Sequence, residues 1–233
     1  ISPDGRYLAA AVNRAVVRIW SLSNGQELPE LQLQAEADSS TSVPSLADLQ
    51  TIIPKQFLLP TPGMSTAVRF NPDGKLLAVA NEYGIHVFSR DGFSLVTSLR
   101  GYKGRIACLA FDAISNRLFA AGEDRVIRMW SPQTAAPSAV VAQLSSMPTA
   151  LTVHPNGKVI AASFPGGQLE LWHIERRQLL ATITFLPDQR GWIAATPDGL
   201  FETSEGAWRY AAWRFREKPN TLFPVELFYR NFY

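Results

Sequence analysis

Cysteine and histidine are scarce in this sequence, which holds one cysteine, Cys108, and three histidines in 233 residues. A single cysteine excludes a disulfide framework within the chain and favours a reducing compartment, so we expect a cytoplasmic protein. No apolar run approaches the roughly 18 residues that a membrane-spanning helix needs. The sequence also lacks an excess of either charge, because 22 basic and 20 acidic residues leave a net charge of +2. We therefore predict neither a nucleic-acid partner nor a membrane partner.

Short motifs of common catalytic and cofactor sites are also missing. The sequence has no G-x-S-x-G, no H-E-x-x-H and no glycine-rich phosphate loop. His86, His154 and His173 lie in different local contexts without a cysteine pair, so we expect no metal site. Cys108 lies in an apolar stretch, which favours a buried small side chain over a nucleophile. We predict a segment that is not an enzyme, with no catalytic residue and no cofactor.

The sequence does contain a repeated aromatic residue at the end of a short apolar stretch. Its last three copies lie 42 residues apart, and the first precedes the second by 68, one period plus 26 residues. An alanine lies ten residues before each aromatic residue, and an aliphatic residue lies twelve before it. The aromatic residues are Trp20, Phe88, Trp130 and Trp172. The alanines are Ala10, Ala78, Ala120 and Ala162, and the aliphatic residues are Leu8, Leu76, Leu118 and Ile160. A period in the forties with short strands is typical of β-propeller blades.

Each repeat is predicted to form four strands. The first is short and apolar, as in 67–70, 106–111 and 150–153, and a turn rich in Asp-Gly or Asn-Gly follows it in most repeats. The second strand is almost entirely apolar, which predicts burial on both faces. The Glu123–Asp124 pair falls between second and third strands, and we interpret it as a turn former.

The third strand alternates, so its two kinds of side chain must lie on opposite faces. One face is aliphatic in every repeat, and the other carries a polar residue two positions before the aromatic residue. The polar residues are Arg18, His86, Arg128 and Glu170. The fourth strand is polar and variable, as expected for an outer edge.

This pattern resembles the WD-repeat family of β-propellers over residues 1 to about 186. The family's aspartate after the aromatic residue is replaced by Ser21, Ser89, Ser131 and His173. Only the third repeat keeps a counterpart of the family's Gly-His dipeptide, at Gly101-Tyr102, and of its turn aspartate, at Asp124. The resemblance implies an all-β fold, a partial WD-repeat propeller of about four to five four-stranded blades with an aromatic-rich C-terminal extension. It also implies that the family's His-Ser-Asp-Trp network is absent from most blades.

The domain prediction is residues 1–190 as propeller blades with an insertion at about 33–60, then 191–233 as a final partial blade and extension. The insertion is predicted to be a loop packed on the rim or a specificity element above the central channel. Because four units cannot close a seven-bladed ring, we expect a fragment of a larger protein. The terminal units should expose apolar faces, which favours self-association of the isolated chain.

The C-terminal segment changes character, since 11 of the chain's 25 aromatic residues lie in 192–233. Thr-Pro-Asp-Gly at 196–199, Phe201 and Ser204 resemble a phrase in bacterial WD-repeat proteins that carry a caspase-like peptidase domain. Interleaved tryptophans and arginines at 208–216 indicate a packed module rather than a nucleic-acid stacking surface, because nearby glutamates nearly cancel the charge. Residues 222–233 are predicted to form a short amphipathic helix.

The resemblance implies a non-catalytic scaffold or sensor that binds a protein partner or an adjacent domain of the same polypeptide, within a bacterial multidomain protein. Two alternatives stay open. In these the segment is the regulatory propeller of a caspase-like cysteine peptidase or of a P-loop signalling ATPase, with the catalytic domain elsewhere. An enzyme acting in its central channel is disfavoured, because the repeat brings no carboxylates or histidines together.

Overall fold

A computed structural model describes residues 1–12, 16–32, 67–81, 84–99, 102, 104–132, 139–186, 191–213 and 223–224. The chain divides into two compact units, Ile1–Ile106 and Ala107–Tyr233. Among the described residues, the regular secondary structure is β-strand apart from one short 3-10 helix. Among them, no helix has the length and hydropathy that a membrane span requires. The predicted insertion at 33–60 lies outside the described residues.

The first unit holds two antiparallel sheets whose strands follow chain order. The first sheet has three strands, β1 (Tyr7–Ala11), β2 (Val16–Ser21) and β3 (Leu31–Gln32). The second sheet has four, β4 (Ala67–Phe70), β5 (Leu76–Asn81), β6 (Gly84–Ser89) and β7 (Leu95–Leu99).

The second unit holds the third and fourth sheets, with the first strand of the third sheet beginning at the boundary. The third sheet comprises β8 (Ile106–Phe111), β9 (Leu118–Gly122), β10 (Val126–Trp130) and β11 (Ala139–Gln143). The fourth comprises β12 (Ala150–Val153), β13 (Val159–Phe164), β14 (Gln168–His173), β15 (Gln178–Phe185), β16 (Trp192–Ala195) and β17 (Phe201–Thr203). A 3-10 helix (Ala207–Tyr210) and a ribbon of β18 (Ala212–Trp213) and β19 (Phe223–Pro224) follow. The four-strand pattern predicted for each repeat is confirmed from β4 to β15.

The turn that leads into β1, β5, β9 or β13 shares one backbone hydrogen bond in all four sheets. The residue that opens it donates its backbone N–H to the carbonyl five residues later, as Asn71 does to Leu76 at 3.0 Å and His154 to Val159 at 2.8 Å. The glycines that close two of these turns, Gly74 and Gly157, have φ of 70° and 67°. This left-handed backbone favours glycine, so the Asp-Gly and Asn-Gly pairs are in the sequence for a steric reason.

The second sheet differs from the others by one residue of register. Trp20, Trp130 and Trp172 pair with the residue twelve positions earlier, whereas Phe88 pairs with Leu77, eleven earlier. The hairpin joining β5 to β6 is therefore one residue shorter. Side chains alternate along a strand, so this shift changes the face on which Ala78 lies. Ala10, Ala120 and Ala162 lie on the same face as the aromatic residue of their sheet, whereas Ala78 lies on the face opposite Phe88.

Each of the four sheets has two distinct faces. The aromatic face carries the repeated aromatic residue and the polar residue two positions before it. The aliphatic face carries the alternate positions, such as Val17 and Ile19 in the first sheet and Ile127 in the third. This separation confirms the alternation predicted for the third strand.

In both units, the aliphatic face of one sheet packs on the aromatic face of the next. In the first unit, Val17 and Ile19 share a core cluster with Leu77, Val79 and Phe88. In the second unit the same packing joins the third sheet to the fourth. Its members are Phe119, Ala121 and Ile127 from the third sheet, and Ile160, Ala162 and the adjoining Trp172 from the fourth.

Burial of the second strand on both faces is confirmed for β5 and β9 and is wrong for β1 and β13. Only Leu76 of β5 is partly exposed, and β9 is buried throughout. Every residue of β1 is half-buried, and in β13 buried and half-buried residues alternate.

The start of the C-terminal segment joins the fourth sheet. Strand β16 pairs with β15 in the register Phe185↔Trp192 to Thr182↔Ala195, and β17 pairs with β16. The predicted turn at 196–199 forms between β16 and β17, with Thr196 N–H bonded to Leu200 O at 2.8 Å. The predicted helix at 222–233 is wrong at Phe223–Pro224, which is strand, and its remaining residues lie outside the described part of the chain.

Candidate interaction surfaces

The polar residue on each aromatic face has a partner particular to its own sheet. In the first sheet, Arg18 Nε lies 3.0 Å from Glu30 Oε1. In the second sheet, His86 Nδ1 lies 3.0 Å from Ser98 Oγ. In the third sheet, the Arg128 guanidinium is paired with Asp124, which also accepts a hydrogen bond from Val126 N–H at 3.1 Å. One repeat position thus supports several pairings rather than a single repeated network.

Glu170 occupies this position in the fourth sheet and is only 4% exposed. Its Oε2 accepts a hydrogen bond from the Trp172 indole Nε1 at 2.9 Å, and its Oε1 accepts one from the Ser145 backbone N–H at 3.4 Å. Buried carboxylates are tolerated when hydrogen-bonded, and here the bonds join the aromatic face to the β11–β12 link. The sequence predicted the strand face that carries Glu170 but did not predict its burial. The signal that could have indicated burial is the position of this glutamate two residues before a tryptophan, whose indole N–H it accepts.

A charged contact joins the two sheets of the first unit. Asp4, in the turn before β1, lies 2.5 Å from Arg90 Nη1, in the turn after β6. The Arg90 guanidinium also lies 6.0 Å from the centre of the Tyr7 ring. A hydrogen bond from Ser2 Oγ is the main cause that lowers the pKa of Asp4, and Arg90 adds to it. Asp4 and Arg90 form what we call the first clasp.

The corresponding clasp in the second unit has more partners. Arg117 bonds Asp112 Oδ2 at 3.0 Å, Glu175 Oε1 at 2.8 Å and the Gly157 carbonyl at 3.2 Å. Burial opposes ionisation of Asp112, but hydrogen bonds from Ser115, the Ile114 backbone and Arg117 outweigh it and lower the pKa of Asp112. Burial likewise lowers the pKa of Arg117, and its bonds to Glu175 and Asp112 reverse this and raise it.

The two clasps link corresponding turns, but the residue contributed by the turn after the third strand has the opposite charge in each. The cation of the first clasp, Arg90, follows the third strand of the later sheet, whereas Glu175 supplies an anion from the corresponding turn in the second clasp. Sequence analysis missed both, because the residues occupy unequal distances from the repeated aromatic residue and differ in charge. We call the end of each sheet that bears these turns the clasp end.

The histidines, which the sequence predicted would not form a metal site, bond locally. The Nδ1 atoms of His154 and His173 accept backbone N–H groups of Asn156 and Arg176, both at 3.2 Å. No group of three or more His, Cys, Asp or Glu residues in the described ranges could hold a metal ion. Cys108 is buried in the core of the second unit, as predicted, with Sγ 3.5 Å from the Ala121 carbonyl.

Ser204 fixes the beginning of β16. Its Oγ accepts the Trp192 N–H at 2.9 Å, and its own N–H bonds the Trp192 carbonyl at 3.0 Å. A Cβ at Gly191 would lie 2.8 Å from Ser204 Oγ, so the packing there requires glycine. The motif around 196–204 therefore has a local structural role. Of the predicted aromatic surface, Tyr210 is 61% exposed, while Trp208 and Trp213 have side chains outside the described set.

Comparison with protein families identifies one repeat of this chain. Residues 93–131 match the family described as WD domain, G-beta repeat. The span runs from the turn before β7 to the end of β10 and includes Gly101 and Asp124, the two signature residues predicted for this repeat. Together with the antiparallel four-stranded sheets, this match is consistent with a partial WD-repeat propeller.

Several curated proteins are similar to the chain over part of their length. Periodic tryptophan protein 2 of Saccharomyces cerevisiae is 29% identical over 115 residues, covering 48% of this chain and 12% of that protein. Periodic tryptophan protein 2 of Arabidopsis thaliana is 22% identical over 204 residues, 78% of this chain and 22% of that protein. Pre-mRNA-processing factor 19 of Bos taurus is 24% identical over 152 residues, 63% of this chain and 30% of that protein. The chain thus spans less than a third of each of these relatives.

Proposed function

We propose that the chain is a non-catalytic module for protein–protein interaction, a scaffold or sensor that presents loops from packed sheets. The observation that carries the proposal is the WD-repeat match at residues 93–131, since that family suggests interaction and scaffolding. Propellers host many functions, so the argument also needs a surface. The second unit supplies one at the end opposite the clasp end.

This surface consists of turn and link residues that are exposed in the second unit. We call it the loop-tip surface, and its members are Glu123, Arg125, Ser145, Thr149 and Pro165. Binding residues are commonly carried on loops that a rigid framework positions.

The backbone of the loop-tip surface is held in place. Leu144 N–H bonds the Arg125 carbonyl at 2.7 Å, and Thr149 N–H bonds the Ser163 carbonyl at 2.8 Å. The loop-tip surface thus combines exposed side chains with a fixed backbone, and this combination supports it as the surface that binds a partner.

Affinity capture from cell extract, read by quantitative mass spectrometry, tests the proposal. The loop-tip variant combines Glu123→Lys with Arg125→Asn, because Arg125 has φ of 59° and asparagine tolerates that backbone. The matched control is Arg176→Glu, exposed at the clasp end. We expect proteins captured by the wild type to be lost with the loop-tip variant and kept with the control. Retention of the same proteins by the loop-tip variant would contradict the proposal.

A more specific alternative is that the chain is the regulatory propeller of a bacterial caspase-like peptidase or of a P-loop ATPase. The sequence phrase at 196–204 supports the peptidase. The relatives named above are eukaryotic and do not support the bacterial context. Sequencing the reading frame on both sides of this segment distinguishes the cases. A His/Cys-bearing α/β domain downstream favours the peptidase, and an upstream phosphate loop favours the ATPase.

The cytoplasmic location and the choice of partner are also part of this proposal. The single buried thiol and the net charge of +2 support a cytoplasmic protein that binds a protein partner or an adjacent domain rather than nucleic acid or a membrane. Fractionation of source cells, followed by detection with a specific antibody, checks the location.

A further inference from the structure

Glu170 lies at the repeat position whose polar residue has a different partner in each sheet. In the first three sheets that residue has a partner within its own sheet or the turns of that sheet. Glu170 has one partner in its own strand, the Trp172 indole at 2.9 Å, and a second outside it, the Ser145 N–H at 3.4 Å. Ser145 belongs to the link between β11 and β12, which contributes to the loop-tip surface. Glu170 therefore connects a buried position of the aromatic face to the proposed binding surface.

The link between β11 and β12 is fastened at its start, its middle and its end. At its start, the Leu144 N–H bonds a carbonyl of the β9–β10 turn at 2.7 Å, and at its end the Thr149 N–H bonds a carbonyl of β13 at 2.8 Å. In the middle, Ser145 is exposed, whereas the Glu170 carboxylate that accepts its N–H belongs to a residue only 4% exposed. A buried acceptor thus fixes the backbone of an exposed residue, and buried support of this kind is what a precise binding surface requires.

We propose that Glu170 is a positioning residue of the loop-tip surface, which holds Ser145 in the geometry that binds a protein partner. The inference rests on the proposed function, because it takes the loop-tip surface to be the place where a partner binds. Since Glu170 is buried, it acts through Ser145 rather than by contact with the partner. A link that is fixed before binding loses less conformational freedom when the partner binds, so release of Ser145 should weaken the complex.

The two hydrogen bonds of Glu170 can be removed separately. Glu170→Leu removes both of them. Trp172→Phe removes the indole donor, keeps an aromatic ring and leaves the bond to Ser145 in place. If Glu170 served only the packing of the third sheet on the fourth, the two substitutions would affect the link alike. The positioning role predicts that Glu170→Leu releases the link and that Trp172→Phe does not.

Hydrogen exchange followed amide by amide by NMR measures the release of the link without any partner. The quantity compared is the exchange rate of the Ser145 amide divided by that of the Thr149 amide, whose bond does not involve Glu170. A general loss of stability changes both rates together and leaves the ratio unchanged. We expect the ratio to rise about fivefold in Glu170→Leu, as the loss of one hydrogen bond predicts, and to stay near the wild-type value in Trp172→Phe. An unchanged ratio in Glu170→Leu, or an equal rise in both variants, would overturn the positioning role.

Photo-crosslinking in cell extract, with a photoreactive amino acid at Thr149, then measures binding. We expect the wild type and Trp172→Phe to give the same discrete adduct, and Glu170→Leu to give about fivefold less of it, in line with the loss of one hydrogen bond. Circular dichroism spectra that match the wild type show that each variant is folded. An undiminished adduct from folded Glu170→Leu, despite faster exchange at Ser145, would overturn the inference and leave the proposed function intact.

A second pair of variants tests the same bond from the exposed side. Ser145→Pro removes the N–H that Glu170 accepts, whereas Ser145→Ala keeps that N–H and removes only the hydroxyl. We expect Ser145→Pro to lower the adduct yield as Glu170→Leu does, and Ser145→Ala to retain it. Equal yields from the two serine variants would contradict the positioning role. A wild type that gives no adduct contradicts the proposed function itself, and the exchange ratio then still shows whether Glu170 holds Ser145.

Discussion

At the scale of single residues, the repeated aromatic residue of the third sheet contributes a large buried side chain. Trp130 is 3% exposed on the aromatic face of the third sheet. Large-to-small substitution of such a side chain removes its burial and leaves a cavity, so Trp130→Ala should reduce the free energy of unfolding by about 3–5 kcal/mol. Urea denaturation measures this, with Tyr210→Ala at an exposed site as the control. A loss below about 1 kcal/mol would place Trp130 outside the core.

Glu170 tests whether a buried carboxylate can take the place of the family's hydrogen-bond network. Glu170→Leu removes the acceptor of the Trp172 indole and of the Ser145 N–H, so we expect a loss of about 1–3 kcal/mol in the free energy of unfolding. Glu170→Gln keeps one acceptor oxygen and should lose less. Equal stability of the two variants in urea denaturation would argue that these hydrogen bonds contribute nothing.

Gly157 combines a left-handed backbone with a close neighbour. Its φ is 67°, and a Cβ there would lie 3.1 Å from Asp112 Oδ1. Gly5 has φ of 69° with nothing within 4 Å, so Gly5→Ala reports the backbone effect alone. Gly157→Ala should destabilise by about 1 kcal/mol or more, and by more than Gly5→Ala, in parallel thermal melts. The opposite order would show that the turn adjusts to the methyl group.

At the scale of elements, the second clasp makes the turn between β8 and β9 sensitive to acid. The pKa of Asp112 is lowered in the fold, so its ionised form stabilises the protein above the ordinary aspartate pKa of 3.8. This contribution disappears as the pH falls through the lowered pKa. Asn71 fills the corresponding turn position naturally, and its Oδ1 accepts the Leu76 N–H at 2.8 Å, which makes Asp112→Asn a conservative test.

We expect the wild type to exceed Asp112→Asn in stability by about 1–3 kcal/mol near neutral pH, because hydrogen bonds to charged groups are strong. The difference should shrink as the pH is lowered below about 4. Urea denaturation at a series of pH values measures it. A difference that is constant with pH would mean that the charge of Asp112 is not what holds the clasp.

Strand positions were predictable because they depend on local pattern. The turn glycines and the alternation around Arg128 placed most strands of the repeats to within a residue or two. Register in the second sheet was not predictable, since the sequence spacing from Phe88 to Ala78 matches the other repeats while the hairpin is one residue shorter. The pairing of β16 with β15 joins strands that are adjacent in sequence, but it adds a fifth strand to a sheet for which the repeat predicts four, so the repeat pattern did not indicate it.

The candidate surfaces were less predictable than the strands. Both clasps join turns about 60 to 90 residues apart in sequence, such as Asp4 to Arg90 and Arg117 to Glu175. Their residue types differ between the two units, so no repeat signal marks them. Burial of Glu170 likewise depends on how the third and fourth sheets pack together.

At the scale of the whole molecule, the same packing occurs in both units. The aliphatic face of one sheet packs against the aromatic face of the next, and charged residues link the neighbouring turns. This packing gives each unit a fixed framework, and it leaves the loop-tip surface of the second unit exposed. This framework is consistent with the proposed binding of a protein partner. The residues of the loop-tip surface lie in the connections β9–β10, β11–β12 and β13–β14.

Site-specific photo-crosslinking is the most direct test of that role. A photoreactive amino acid placed at Thr149 samples the loop-tip surface, and one at Arg176 samples the clasp end as the matched control. We expect a discrete crosslinked protein partner, identified by mass spectrometry, from position 149 and none from position 176. A partner crosslinked only from position 176, or no discrete adduct from position 149, would contradict the account of this chain as an interaction module that binds through its loop tips.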